Sequence, residues 1–163
     1  MSVNKEINGK AGKVKGDRTK KTKIVNILIP VVVILILVFT YLYRIAPGNT
    51  GIKESEYFNE TQVENAIKNT IDLIDDENYA ALRDSADEEM KSVVTKETME
   101  EVKVQISENW GPRQSFGKIY MTEVVQENEH YAVGEVTVSY ENVNVTYRLA
   151  YDQEMQLTGL YMK

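Results

Sequence analysis

Apolar residues fall along this chain in three successive regimes, and each predicts a different kind of element. From Ile24 to Tyr43 they run on without a charge, as IVNILIPVVVILILVFTYLY. From Val63 to Trp110 they recur at spacings of three and four, the period of an amphipathic helix. From Gln114 onward they alternate with polar residues, the period of a half-buried strand.

The first regime predicts a transmembrane helix over residues 24–43. Its length at a rise of about 1.5 Å per residue matches the roughly 30 Å hydrocarbon core of a bilayer. Fifteen of its residues are Ile, Leu, Val or Phe, each favouring insertion by about 0.3–0.6 kcal/mol near the centre. Phe39, Tyr41 and Tyr43 gather at the far end, where amphipathic rings prefer the interface. Pro30 is tolerated, because freed backbone groups in a membrane helix find local partners. Residues 1–23 carry eight Lys or Arg against Glu6 and Asp17, a balance of +8 − 2 = +6, whereas Arg44 is the one base close behind the span. The positive-inside rule then places the N-terminus in the cytoplasm and the C-terminal domain outside, at the cell membrane. A cleavable signal peptide has a shorter apolar region ending in small residues, so an uncleaved anchor is expected. The basic tail, with Gly9, Gly12 and Gly16 and almost nothing apolar, predicts disorder and a role in setting topology.

In the second regime, Asn59-Glu60-Thr61-Gln62 reads as a helix N-cap, and Val63, Ile67, Ile71 and Ile74 form one stripe. Tyr79 to Val94 reads as one or two short helices burying Tyr79, Leu82, Met90 and Val94. Thr95 caps a further helix in which Met99, Val102, Ile106 and Trp110 share a face, and Gly111-Pro112 stops it. In the third regime, strands are expected around Ile119–Val125, Ala132–Tyr140, Val143–Tyr151 and Met155–Tyr161, joined by short turn-prone links. Helices followed by an antiparallel meander give an α+β class: three helices packed on one face of a curved four-stranded sheet. The expected organisation is a tail over 1–23, the span over 24–43, a linker over 44–58 and an extracytoplasmic domain over 59–163.

Composition narrows the function. Beyond Arg44 there are 10 basic and 23 acidic residues, a net charge of −13, which argues against a nucleic-acid partner. There is no cysteine, so thiol chemistry, cysteine-based zinc sites and disulfides are out, and the domain must hold together by core packing. Lysine-rich and cysteine-free, the chain has the composition of a bacterial surface protein.

No catalytic constellation, cofactor motif or metal-ligand pattern stands out. His130, the single histidine, sits beside the Asn128-Glu129 turn and is expected to be exposed, without the convergent partners a site needs. Asp75-Asp76-Glu77 lacks the spaced oxygens and glycine of a calcium loop and reads as a solvated helix end. Asp87-Glu88-Glu89 and Glu100-Glu101 read the same way. Aromatic residues are the most suggestive feature. Trp110, Tyr120, Tyr140, Tyr147 and Tyr151 are the candidate lining of a pocket for a small molecule or peptide. Against this stands the fit of tyrosine to any half-buried pleated surface.

The order of a helix, a Tyr79-centred ENYAALRDSADEEMKS stretch, a Thr95-capped helix ending in Trp110-Gly111, and Phe116-Gly117 opening a meander resembles the DUF3887 family. That family is similar to the wider nuclear-transport-factor-2-like, cystatin-like α+β group. The resemblance spans roughly residues 58–163. It implies a cone-shaped domain whose helices and sheet can enclose a cavity, in membrane-anchored or secreted bacterial proteins. Some members carry a hydrolase domain after this module; with Lys163 directly following the last strand, none is expected here. The resemblance transfers no catalytic residue.

Taken together, the sequence leads to a single-pass membrane protein displaying a non-catalytic module that binds a small molecule, peptide or protein. Two rival readings stand beside it. One is an enzyme using carboxylates inside a cavity, marked by a buried Asp or Glu with a raised pKa. The other is a structural module that pairs its sheets into a homodimer.

Overall fold

Each helix of the domain starts where a polar side chain takes over a backbone donor that the helix itself leaves unpaired. In the computed structural model, which describes residues 50–163, Asn59 accepts from Gln62 N at 3.1 Å and opens α1 (Glu60–Asp75). Asn78 opens α2 (Tyr79–Asp84), Asp87 opens α3 (Glu88–Val93), and Thr95 opens α4 (Lys96–Ile106). The apolar stripe of α1 is fully engaged, with Val63, Ile67, Ile71 and Ile74 all buried. The helix stops at Glu77, whose φ of 55° is left-handed and lets Asn78 N reach Leu73 O at 2.9 Å.

The strands are β1 (Thr50–Gly51), β2 (Arg113–Phe116), β3 (Tyr120–Gln126), β4 (Glu129–Tyr140), β5 (Asn144–Tyr151) and β6 (Leu157–Met162). They form one antiparallel sheet in the order β1-β3-β4-β5-β6, and β2 pairs with β4 beyond the end of β3. The long β4 therefore carries two partners in succession along one edge. Gly117 makes the break between them possible: its N–H donates to Thr137 O at 2.8 Å, and a Cβ there would lie 2.7 Å from that same oxygen. The β3–β4 hairpin turns on Glu127 and Asn128, both at positive φ (51° and 69°), the geometry whose twist matches paired strands.

One face of the sheet meets the helices. Ala132, Val136, Val138 and Tyr140 on β4, with Val145, Tyr147, Leu149 and Tyr151 on β5, are buried there in one core with the α1 stripe. The other face carries a small cluster of Val124, Val133 and Ala150, flanked by a Glu135–Arg148 ion pair and a Thr137–Thr146 hydroxyl pair at 2.9 Å.

The α+β class and the order of helices before meander agree with expectation, and three details differ. Four α-helices form where three were expected, because Ser85 and the Asp87 cap divide 79–94 in two. Five strands and the two-residue β1 replace the expected four; Arg113–Phe116 is mostly exposed and carries no alternation to reveal it. The last helix ends at Ile106 rather than near Trp110, because Ser107 is extended (φ −163°). Trp110 then folds back, and its indole N–H donates to the Lys103 carbonyl at 3.1 Å.

The stretch expected as linker is also part of the domain from residue 50 onward. A 3-10 turn at Ile52–Glu54 follows β1, and Ile52 and Phe58 are buried in the core. Among the described residues no helix is long and apolar enough to cross a membrane. The expected span at 24–43, the tail at 1–23 and residues 44–49 lie outside the described residues.

Candidate functional site

The end of α1, the end of α4 and the turn into β2 converge on a surface depression of about 320 Å³, lined by Asp75, Lys103, Trp110, Gly111, Pro112, Arg113 and Tyr140. Its shape depends on Gly111. That residue holds φ 68°, and a Cβ on it would sit 2.7 Å from the Glu141 Cβ. The tight passage lets Asn142 N reach Trp110 O at 3.0 Å and Glu141 N reach Pro112 O at 3.0 Å. These bonds pin the Trp110–Pro112 turn to the end of β4.

A chain of polar contacts runs through the floor. The Tyr140 hydroxyl donates to Asp75 Oδ1 at 2.7 Å. With its single proton so placed, it accepts from the fully buried Tyr147 hydroxyl, also at 2.7 Å. Arg113 Nη1 donates to Asp75 Oδ2 at 2.9 Å and lies 2.7 Å from Asp72 Oδ1. The guanidinium also rests over the Phe116 ring at 4.5 Å. Lys103 Nζ lies 5.5 Å above the Trp110 ring and makes a long 3.4 Å contact to Glu77. Trp110 packs on Tyr140 in a tilted pair with centroids 5.0 Å apart.

Burial raises the Asp75 pKa above its ordinary value; the Tyr140 hydrogen bond and the charges of Arg113 and Lys103 oppose the rise without cancelling it. Burial likewise raises Tyr140 and Tyr147, so both remain neutral donors in the network. The nearby Tyr79 hydroxyl is buried without a hydrogen-bond partner. Burial and the charges of Glu77 and Glu100 push its pKa up to about 12.

Of the five aromatic residues expected to line a pocket, the structure brings Trp110 and Tyr140 to the depression. Tyr147 sits directly behind, as the donor to Tyr140. Tyr151 lies in the core, bonded to Thr70 Oγ1 at 2.8 Å. Tyr120 lies elsewhere, 62% exposed under Lys118.

The charged members escaped the sequence reading. The acidic run holding Asp75 reads as a solvated helix end, yet Asp75 stands one helical turn after Ile71 and so continues the buried stripe, which is the available signal. Arg113 and Lys103 carry no comparable mark. Among the described residues no group of three or more His, Asp or Glu is placed to hold a metal ion.

His130 is not exposed as expected. It is half-buried, stacked under Tyr57 with centroids 3.7 Å apart, and its Nδ1 meets the buried carboxylate of Glu123. Ser55 joins the same carboxylate while its Oγ accepts from Tyr57 N and Phe58 N, each at 3.0 Å. Burial pushes the Glu123 pKa up, but the Ser55 and His130 donors outweigh it and hold the carboxyl below the ordinary range. Glu123 stands between Ser55 and His130, so this is not a nucleophile–base relay, in which the histidine would be central. It is a clasp that fastens residues 50–58 to β3 and β4.

An antiparallel sheet covered on one face by short capped helices defines a small α+β domain. The chain belongs to the DUF3887 family, described as "Protein of unknown function", whose profile matches residues 68–160. An NMR structure of a protein from Ruminococcus gnavus ATCC 29149 is similar to it, with a TM-score of 0.59 and 27% identity over 66% of this chain and 94% of that one. No curated protein matches the sequence.

Proposed function

We propose that this chain is a single-pass membrane protein whose helix at residues 24–43 displays a non-catalytic binding module outside the cell, with its ligand seat at the Trp110–Arg113 depression. The observation carrying the binding reading is the convergence of two aromatic side chains with Asp75, Lys103 and Arg113 on one concave surface, where polar groups beside aromatic walls can orient a small ligand. The helices on one face of an antiparallel sheet support a place in the nuclear-transport-factor-2-like group. The apolar run and the +6 flank support the anchor and its orientation.

Ligand-observed NMR of the full chain in nanodiscs, screened against small molecules and short peptides, tests the binding reading. Hits should vanish with Trp110→Ala in protein that keeps its circular dichroism spectrum. A screen without hits, or hits indifferent to Trp110, would remove it. Protease added to intact cells should degrade the acidic domain and spare the lysine-rich tail; the opposite pattern overturns the orientation.

Asp75 favours one second reading, an enzyme using a buried carboxylate of raised pKa. Both of its oxygens already hold donors, which suits a fixed element of a seat better than a proton carrier. Turnover of a screened ligand that disappears with Asp75→Asn would decide for the enzyme.

A further inference from the structure

We infer that the depression is a receptor for a small monocarboxylate, whose apolar part lies on Trp110 and Pro112; this deepens the binding reading and rests on it. The hydrogen-bonding capacity that the lining side chains offer is of donor type. Asp75 is the one anionic residue in the lining, and each of its oxygens is already engaged, by Tyr140 and by Arg113. The contacts of Arg113 with Asp72 and Asp75 are both made by Nη1, and the planar Nε–Nη2 edge is the further donor pair the guanidinium can offer. That planar edge matches the two oxygens of a carboxylate. Lys103 has three ammonium protons and one long contact, at 3.4 Å to Glu77.

Charge then selects the valence of the ligand. The two cations of the lining, Lys103 and Arg113, already face Asp75, Asp72 and Glu77, so the seat tolerates one further negative charge better than two. A phosphate dianion would bring two negative charges beside Asp75 and Asp72, and an amine would meet the donors of Lys103 and Arg113. The surroundings sharpen the choice. The chain beyond Arg44 carries 10 − 23 = −13, a field that repels polyanions and leaves a small, singly charged acid able to enter.

A carboxylate of this kind can come from a free acid or from the end of a peptide, and the two are tested side by side. The probes are phenylacetate and N-acetyldialanine, each beside its amide, with phenyl phosphate and phenethylamine as charge controls. Trp110, the single tryptophan, reports binding to the full chain in nanodiscs through its emission. At least one acid should give a saturable change, and its amide should bind roughly tenfold or more weakly, the scale of a lost charge-assisted hydrogen bond. Phenyl phosphate and phenethylamine should bind no better than the amide.

Arg113→Lys keeps the charge but loses the fork and should weaken the acid by a similar factor. Lys103→Met, a second lining donor carried on α4, should weaken it as well and keeps the test open if the Arg113 variant misfolds. An amide or amine that binds as tightly as the acid, or acid binding unchanged in Lys103→Met, overturns the carboxylate assignment. Hits of another charge class that still depend on Trp110 leave the binding reading standing without the carboxylate, whereas no binding from any class removes both.

Discussion

Tyr140 joins the interior of the domain to its surface. Its ring is packed against Trp110, its proton is given to Asp75, and its oxygen accepts from Tyr147. Removing that one oxygen strands two partners at once, the Asp75 carboxylate and the Tyr147 proton. Tyr140→Phe should therefore destabilise the domain by about 1–3 kcal/mol, the usual cost of leaving buried polar groups unpaired. Tyr147→Phe should cost less, because Tyr140 still donates to Asp75 and loses only an incoming bond. Urea denaturation of both variants checks the order, and equal losses would contradict the assignment of donors. The Asp75 pKa shows why one residue cannot be read alone: burial raises it against Tyr140, Arg113 and Lys103, which together lower it.

At the scale of elements, the seating of α1 on the sheet depends on a missing side chain. A Cβ built on Gly134 would lie 2.2 Å from Ile67 Cδ1 and 3.1 Å from its Cγ1, and Ile67 is fully buried, so its side chain would have to shift within the core. Gly134→Ala should cost about 1–3 kcal/mol, as overpacking of a tight core does, although alanine suits a strand better than glycine does. Thermal unfolding measures it, and an unchanged or raised midpoint would mean that α1 is not pressed on β4 as described. Pairing Gly134→Ala with Ile67→Val should recover part of the loss.

Elements of this kind were largely legible in the sequence, since the period of three and four in Val63–Ile74 and the period of two in Val143–Tyr151 are local signals. Asn59 and Thr95 announced their helix starts in the same way. What stayed hidden depends on contacts made across the chain. Arg113–Phe116 becomes a strand only because β4 extends past β3 to receive it. The partnership of Asp75 with Arg113 joins residues 38 apart in sequence, and no local pattern encodes that. Residues 50–58 carry linker-like polarity, with Ile52 and Phe58 as their buried apolar residues.

At the scale of the whole domain, those residues are held by the Glu123 clasp, which gives the fold a pH dependence of known sign. The Glu123 carboxyl is held below its ordinary 4.5 in the folded chain. Its contribution is therefore complete above about pH 4.5 and is lost as pH falls through the lower folded value. Asp75 works in the opposite sense: its pKa is raised in the fold, so protonation there favours the folded chain. Glu123→Gln should lower stability at neutral pH and flatten the decline below pH 4.5. Denaturant midpoints taken across that range provide the comparison; parallel curves for the two proteins would assign the acid sensitivity to other groups.

Fastening the chain at Ile52 also fixes the length of the leash. With the helix proposed for 24–43, six residues, 44–49, separate the bilayer from β1, and even fully extended they reach no more than about 22 Å. On that proposed anchor the domain would patrol a thin layer over its own membrane rather than search the surrounding medium. Within that layer it would meet neighbours at the high effective concentration that tethering confers. Even a weak seat would then be occupied by whatever is produced, released or anchored in the same layer.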